Sequence, residues 1–282
     1  MKKHIGFIML NQQNNFIRKT LFAFLVFCSS ITYFNLSYGT GMFNDFDTHY
    51  QLGNEYNKQG MVDDAIQEYQ KAIEINEYSS KVYNNLGVAY GKKNMVDEEI
   101  SSYRRAVDLD ENYKEAYFNL GIAYGIKKMA DEEIAAYQKV IELDPENLEA
   151  YYNLGNAYRD KEMYDKSITA YKKVIEIDPA YIDAHFNLGV SYGRKGLLDD
   201  EILQYKRVLS LNPYNAEAHF NLAIAYGEKK MFDDQIREYK KAIELNPNYA
   251  KAYKNLESVY RAKGMKKEAD NELSKYHDIV ER

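Results

Sequence analysis

Apolar residues recur along this chain at helical spacing. Within Lys114–Asn147, Tyr117, Leu120, Gly121 and Tyr124 stand at i, i+3, i+4 and i+7, one face of an α-helix. Lys127 and Lys128 interrupt the pattern, and Asp131 reads as the N-cap of a second helix. Its apolar face is Ile134, Tyr137, Ile141 and Leu143. Pro145 ends it, because proline lacks an N–H and disfavours helix at the residue before it. The stretch predicts a helix, a tight turn and a second helix.

The same pattern returns every 34 residues. Tyr124 aligns with Tyr56, Tyr90, Tyr158, Tyr192, Tyr226 and Tyr260, and Tyr137 with Tyr69, Tyr103, Tyr171, Tyr205 and Tyr239. All four prolines, Pro145, Pro179, Pro213 and Pro247, fall at one place. Seven units follow: 46–79, 80–113, 114–147, 148–181, 182–215, 216–249 and 250–282. Places are numbered from the first residue of each unit, with helix A over about the first fourteen and helix B from about place 18 to 31. Asp63, Asp97, Asp131, Asp165, Asp199 and Asp233 share place 18 as N-cap candidates for helix B. The final helix, from Met265 to about Val280, is polar where an eighth unit would dock, as expected of a capping unit.

These columns resemble the tetratricopeptide repeat (TPR) family, in residues Tyr117, Leu120, Gly121, Tyr124, Tyr137 and Pro145 of the third unit. The resemblance covers about the last five-sixths of the chain. It implies an all-α, right-handed solenoid of seven helix-turn-helix units, with helix A on the concave wall and a non-covalent, protein-binding activity. Two places depart from the family pattern. Place 20, ordinarily Ala, holds Glu99, Glu133, Ser167, Glu201 and Gln235, and only Ala65 and Ala269 conform. Place 8 loses its small residue at Glu257.

The resemblance singles out place 6: Gln51, Asn85, Asn119, Asn153, Asn187, Asn221 and Asn255. It implies that these side chains face the groove. A primary amide donates twice and accepts, so it can pair with both N–H and C=O of an extended peptide. The column is similar to the asparagine ladder of the O-GlcNAc transferase TPR superhelix, which holds peptide backbone regardless of sequence; the alternative is local bonding within the helix. Place 5 carries Phe118, Tyr152, Phe186 and Phe220, as groove anchors or as packing between A helices. Place 12 is Gly91, Gly125, Gly193 and Gly227, a costly choice inside a helix that either widens the groove floor or permits close packing. Place 2 is acidic at Asp47, Glu115, Glu149, Asp183 and Glu217, which suits a neutral or basic peptide or an ordinary solvated face. The chaperone-tail clamp of some TPR domains is not matched, because Tyr50 and Tyr152 stand where that clamp has Lys.

Composition narrows the classes. Seven units leave no room for a catalytic domain. The net charge is −6, and the first 45 residues hold Lys2, Lys3, Arg18 and Lys19 against one acid, so the repeats are acidic and unsuited to nucleic acid. Residues 1–39 resemble a secretory signal, with a basic start, the apolar run from Leu21 to about Phe34, and small residues at Ser37 and Gly39. Residues 40–45 are a lead-in. The expected location is extracytoplasmic, periplasmic or secreted, with membrane anchoring only if residues 20–36 are retained. Cys28 is the single cysteine, and no His pair has ligand spacing, so no metal or cofactor is expected. His49, His185 and His219 at place 4 read as packing substitutes, and the methionine column Met61, Met95, Met129, Met163, Met231 and Met265 as core filler. Glu99, Glu133 and Glu201 could pair with Lys93, Lys127 and Lys195 across the turn. The functional expectation is a non-catalytic scaffold holding a protein or peptide segment in the groove. The alternatives are a structural or oligomerisation subunit of an envelope assembly and an accessory to an enzyme encoded elsewhere.

Overall fold

A computed structural model describes residues 45–281. The expectations for residues 1–39 and for the lead-in up to residue 44 lie outside the described residues. Fourteen helices and no strands occur among the described residues. The A helices are α1 (Asp45–Lys58), α3 (Ser80–Lys92), α5 (Lys114–Ile126), α7 (Leu148–Asp160), α9 (Ile182–Arg194), α11 (Ala216–Glu228) and α13 (Ala250–Ala262). The B helices are α2 (Val62–Ile75), α4 (Val96–Leu109), α6 (Ala130–Leu143), α8 (Tyr164–Ile177), α10 (Leu198–Leu211), α12 (Phe232–Leu245) and α14 (Lys266–Val280). From α2 onward each helix packs on the next. Successive A helices also touch, α3 with α5 and α7 with α9, so the A helices line the inner wall of the stack.

The turn between helices A and B explains three columns at once. The N–H at place 16 donates to the carbonyl of the place-11 tyrosine, as from Met129 to Tyr124 at 2.9 Å and from Met163 to Tyr158 at 2.8 Å. The N–H at place 15 donates to the place-12 carbonyl, as from Lys128 to Gly125 at 3.0 Å. This pair of bonds is a Schellman closure, which needs a left-handed residue between its ends and sets a hydrophobic contact across them. Place 15 has positive φ throughout, 72–77° at Gly60, Gly196 and Gly264 and 57–60° at Asn94, Lys128, Glu162 and Lys230. Tyrosine and methionine are the apolar partners across the closure.

That geometry corrects the expected N-caps. Met61, Met95, Met129, Met163, Leu197, Met231 and Met265 hold the N-cap position of helix B, without a side-chain cap bond. The place-18 aspartates stand two residues inside, within the first turn, where they favour the helix dipole. Each also meets the lysine at place 14 of the following unit: Lys93 with Asp63, Lys127 with Asp97 (2.7 Å), Lys161 with Asp131, Lys195 with Asp165, Lys229 with Asp199 and Lys263 with Asp233. The lysines expected to neutralise Glu99, Glu133 and Glu201 are therefore engaged with a neighbouring unit.

The core repeats with the sequence. Tyrosines at place 24 are the largest buried groups; Tyr69 and Tyr171 are 0% exposed. Five of the rings, those of Tyr69, Tyr103, Tyr137, Tyr171 and Tyr205, lie over the glycine at place 8; in the sixth unit that place is Ala223. A Cβ on Gly121 would stand 2.7 Å from the Tyr137 ring, and one on Gly155 2.6 Å from that of Tyr171. The glycine column is thus a socket for tyrosine.

Candidate functional site

The A-helix wall brings places 5, 6, 9 and 12 of neighbouring units together, and the place-6 amides are not equivalent there. Asn85 Nδ2 donates to Asn54 Oδ1 (2.8 Å) and Tyr50 Oη (3.3 Å). Asn119 Nδ2 donates to Asn84 Oδ1 (3.1 Å). Asn187 Nδ2 donates to Tyr152 Oη (3.0 Å) and Asn156 Oδ1 (3.3 Å), and its own Oδ1 accepts from Arg159 Nη1 (3.0 Å). Asn255 Nδ2 donates to Tyr239 Oη (3.2 Å). Four of the six asparagines are therefore bonded within the chain. Asn153 and Asn221, both half-buried, have no side-chain hydrogen bond among the described residues. Places 5 and 9 of the preceding unit, which supply the partners of Asn85, Asn119 and Asn187, are Phe118 and Ile122 before Asn153 and Phe186 and Val190 before Asn221, none of them polar. Asn255, preceded by Phe220 and Ile224, bonds instead to the place-24 tyrosine Tyr239.

The place-5 aromatics lean on the place-24 tyrosines of their own units. Ring centroids are 5.7 Å apart for Phe118 and Tyr137, 6.0 Å for Tyr152 and Tyr171, and 5.6 Å for both Phe186 with Tyr205 and Phe220 with Tyr239. Phe118, Tyr152 and Phe186 remain half-buried, but Phe220 is buried and also meets Tyr249 at 4.8 Å. Phe220 is thus a packing residue and not an open anchor. The unpredicted apolar surface is on α5, where Ile122 and Ile126 are exposed beside Phe118.

Places 12 and 20 are linked by volume. A Cβ on Gly193 would lie 2.7 Å from the Glu201 carboxyl carbon, one on Gly125 3.0 Å from Glu133 Oε1, and one on Gly91 2.7 Å from Glu99 Oε1. Gln235 lies over Gly227 in the same way. Where place 20 is small, at Ala65, Ser167 and Ala269, place 12 is large: Asn57, Arg159 and Arg261. The glycines make room for a buried carboxyl or amide. Burial raises the pKa of all three acids. Glu201, helped by the like charge of Glu228, is pushed up to about 7.

The histidines are paired and not merely packed. His49 Nδ1 meets Glu68 at 2.5 Å, His185 meets Gln204 at 2.8 Å, and His219 meets Glu238 at 2.7 Å. No cluster of three His, Cys, Asp or Glu suited to a metal occurs among the described residues, and no described helix is long and apolar enough to cross a membrane.

Family models agree with this architecture. "TPR repeat" matches residues 53–94, 131–161 and 155–196, and "Tetratricopeptide repeat" matches 80–113, 182–215 and 204–237, so that 53–113 and 131–237 are covered. The chain belongs to the tetratricopeptide repeat family. A comparison with curated proteins gave no match. Among solved structures, YrrB, described as a TPR protein with an unusual peptide-binding site, is 25% identical with a TM-score of 0.60, over 65% of this chain and 95% of its own. MamA is 30% identical with a TM-score of 0.59, over 62% and 96%. A second MamA structure is 31% identical with a TM-score of 0.56, over 59% and 97%. As a TPR protein with these neighbours, the chain is a protein-interaction scaffold of a class that is generally non-catalytic.

Proposed function

We propose that this TPR protein holds an extended protein segment along the inner, A-helix wall and performs no chemistry on it. The observation that carries the reading is the pair Asn153 and Asn221. Two half-buried amides without an internal partner stand two units apart on one wall, each beside apolar side chains. A buried or half-buried amide is expected to bond, and a peptide backbone supplies both a donor and an acceptor. The neighbour YrrB, with its peptide-binding site, supports the same mode. Ile122 and Ile126 add an apolar patch beside Asn153 for a side chain of the segment. The signal-like residues 1–39 would deliver the repeats outside the cytoplasm.

The test separates free from engaged amides. The full chain is panned against a random dodecapeptide display library, and bound peptides are measured against two variants. Asn153→Ala/Asn221→Ala leaves stability within about 0.5 kcal/mol, as at sites without structural bonds. It weakens peptide binding by about 0.5–1.5 kcal/mol for each amide. Asn119→Ala/Asn187→Ala instead lowers stability, because Asn84, Tyr152, Asn156 and Arg159 each lose a partner. Unchanged binding in the first variant would remove the groove reading.

A further inference from the structure

Around the stack, place 12 is treated in three ways, the neutral Gln235 lying over Gly227 in the sixth unit. In three other units a cation of the chain itself stands at place 12 or bonds to the residue there. Lys92 Nζ donates to Asn57 O (2.9 Å) and Oδ1 (2.6 Å) in the first unit, and Arg159 and Arg261 stand there in the fourth and seventh. In those units place 20 is Ala65, Ser167 or Ala269. In the second, third and fifth units place 12 is glycine, and the carboxyl of Glu99, Glu133 or Glu201 lies over its Cα. No lysine or arginine among the described residues forms an ion pair with any of the three.

Glu201 is the clearest case. It is 7% exposed, and its carboxyl makes no hydrogen bond among the described residues. Yet no side-chain oxygen there is both fully buried and unpartnered, so its carboxyl oxygens touch solvent. From the corresponding place of the fourth unit, Arg159 reaches the place-6 amide of Asn187 on the A-helix wall. Glu228, exposed at the start of the next turn, adds a second negative charge beside Glu201. The other charged groups nearby do not cancel it. Arg194 is exposed and in no ion pair with it, Lys195 is engaged with Asp165, and Tyr205 is kept neutral by burial. Glu133 has Asp160 nearby, but Asp160 is paired with Arg159 at 3.0 Å. Glu99 lies beside the Tyr103 hydroxyl, and Ile126 is the residue of the next unit corresponding to Glu228. Exposed Glu115, Glu149, Asp183 and Glu217 run along the same A helices at place 2.

We propose that the slot formed by Glu201, Gly193 and Glu228 receives a lysine or arginine side chain of the segment held in the groove, with Glu133 over Gly125 and Glu99 over Gly91 as weaker copies. The inference rests on the groove reading and adds the charge of the ligand to it. A carboxyl that is poorly solvated and lacks a counter-ion gains more from an arriving cation than an exposed one does. In the fourth and seventh units arginine stands at this place and pairs with carboxylates, Arg159 with Asp160 and Arg261 with Glu257 and Asp270.

The test uses the same peptide library on the full chain. Recovered peptides are expected to be enriched in Lys or Arg. Two variants then probe the slot. Glu201→Gln copies the pair Gly227 and Gln235, and Gly193→Arg/Glu201→Ser copies Arg159 and Ser167, so both use combinations that this fold already contains. Each should weaken a basic peptide about tenfold and leave its norleucine or citrulline analogue unchanged. Circular dichroism checks that both variants are folded. Peptides without basic enrichment, or an equal loss for charged and uncharged analogues, would overturn the slot while leaving the groove intact. A library that yields no binder, or binders indifferent to Asn153→Ala/Asn221→Ala, would overturn the groove and the slot together.

Discussion

Glu201→Gln also tests the energetics of the buried carboxyl without any ligand. In the folded chain its pKa is pushed from 4.5 to about 7, by burial first and by Glu228 second. One pKa unit corresponds to about 1.36 kcal/mol, so the full difference is about 3 kcal/mol. The carboxyl oxygens reach solvent, which lowers the expected value to about 1–3 kcal/mol. The sign follows from linkage. Below pH 4.5 both folded and unfolded chains hold the proton, and Glu201 carries no penalty. As pH rises from 4.5 to 7 the unfolded chain ionises first, and stability falls. Above about pH 7 both states are ionised and the penalty is constant. A glutamine is never ionised, so the variant gains stability over the parent at pH 8, and the gain shrinks to a few tenths of a kcal/mol, roughly 0.4, at pH 4.5. Urea denaturation of parent and variant at the two pH values measures this double difference. Other groups, such as Glu238, held low despite its burial by His219 and Arg237, cancel between parent and variant. Equal stability at pH 8, or a gain of the same size at both pH values, would refute the argument.

Three further outcomes are expected from the packing. Tyr171→Phe removes a 2.7 Å bond to Asn156 and should cost about 1 kcal/mol in urea denaturation, whereas Tyr137→Phe, whose hydroxyl makes no hydrogen bond among the described residues, should cost little. Asp97→Asn breaks the pair with Lys127, but that aspartate is 80% exposed, so the loss should stay below about 0.5 kcal/mol and vanish in high salt. Lys128→Gly relieves a φ of 58° and should raise the melting temperature, with a gain of about 0.5–1 kcal/mol.

Much of this architecture is legible in the columns of the sequence. The period, the prolines and the tyrosines at places 11 and 24 lead to the helix pairs, because each column has one physical duty in every unit. Place 18 misleads. An aspartate before an apolar run looks like an N-cap, but the Schellman closure hands that position to methionine and frees the aspartate to face the next unit. The lysine that meets it lies 30 residues away, a contact that only stacking creates. The glycines at place 12 raise a question that reading one column alone cannot answer. The answer is eight residues on, where Glu99, Glu133, Glu201 and Gln235 accompany Gly91, Gly125, Gly193 and Gly227, while Ala65, Ser167 and Ala269 accompany Asn57, Arg159 and Arg261. The difference between Asn153 and Asn187 is likewise written in places 5 and 9 of the preceding unit: Phe118 and Ile122 in one case, Tyr152 and Asn156 in the other. Two columns must be read together to see it.

The joint between units is nearly constant, a lysine answering an aspartate at six successive boundaries, whereas the compensating exchanges of bulk occur between the two helices of a single unit. A crossover at a boundary would therefore carry each pairing of places 12 and 20 along whole and keep the lysine–aspartate joint, while giving the place-6 amides new partners in the preceding unit. A crossover between Gly193 and Glu201 would strand one member of a set without its counterpart. Whole units are thus the cassettes in which the bulk of the helix pair is matched, and the lysine–aspartate joint is what any two of them share.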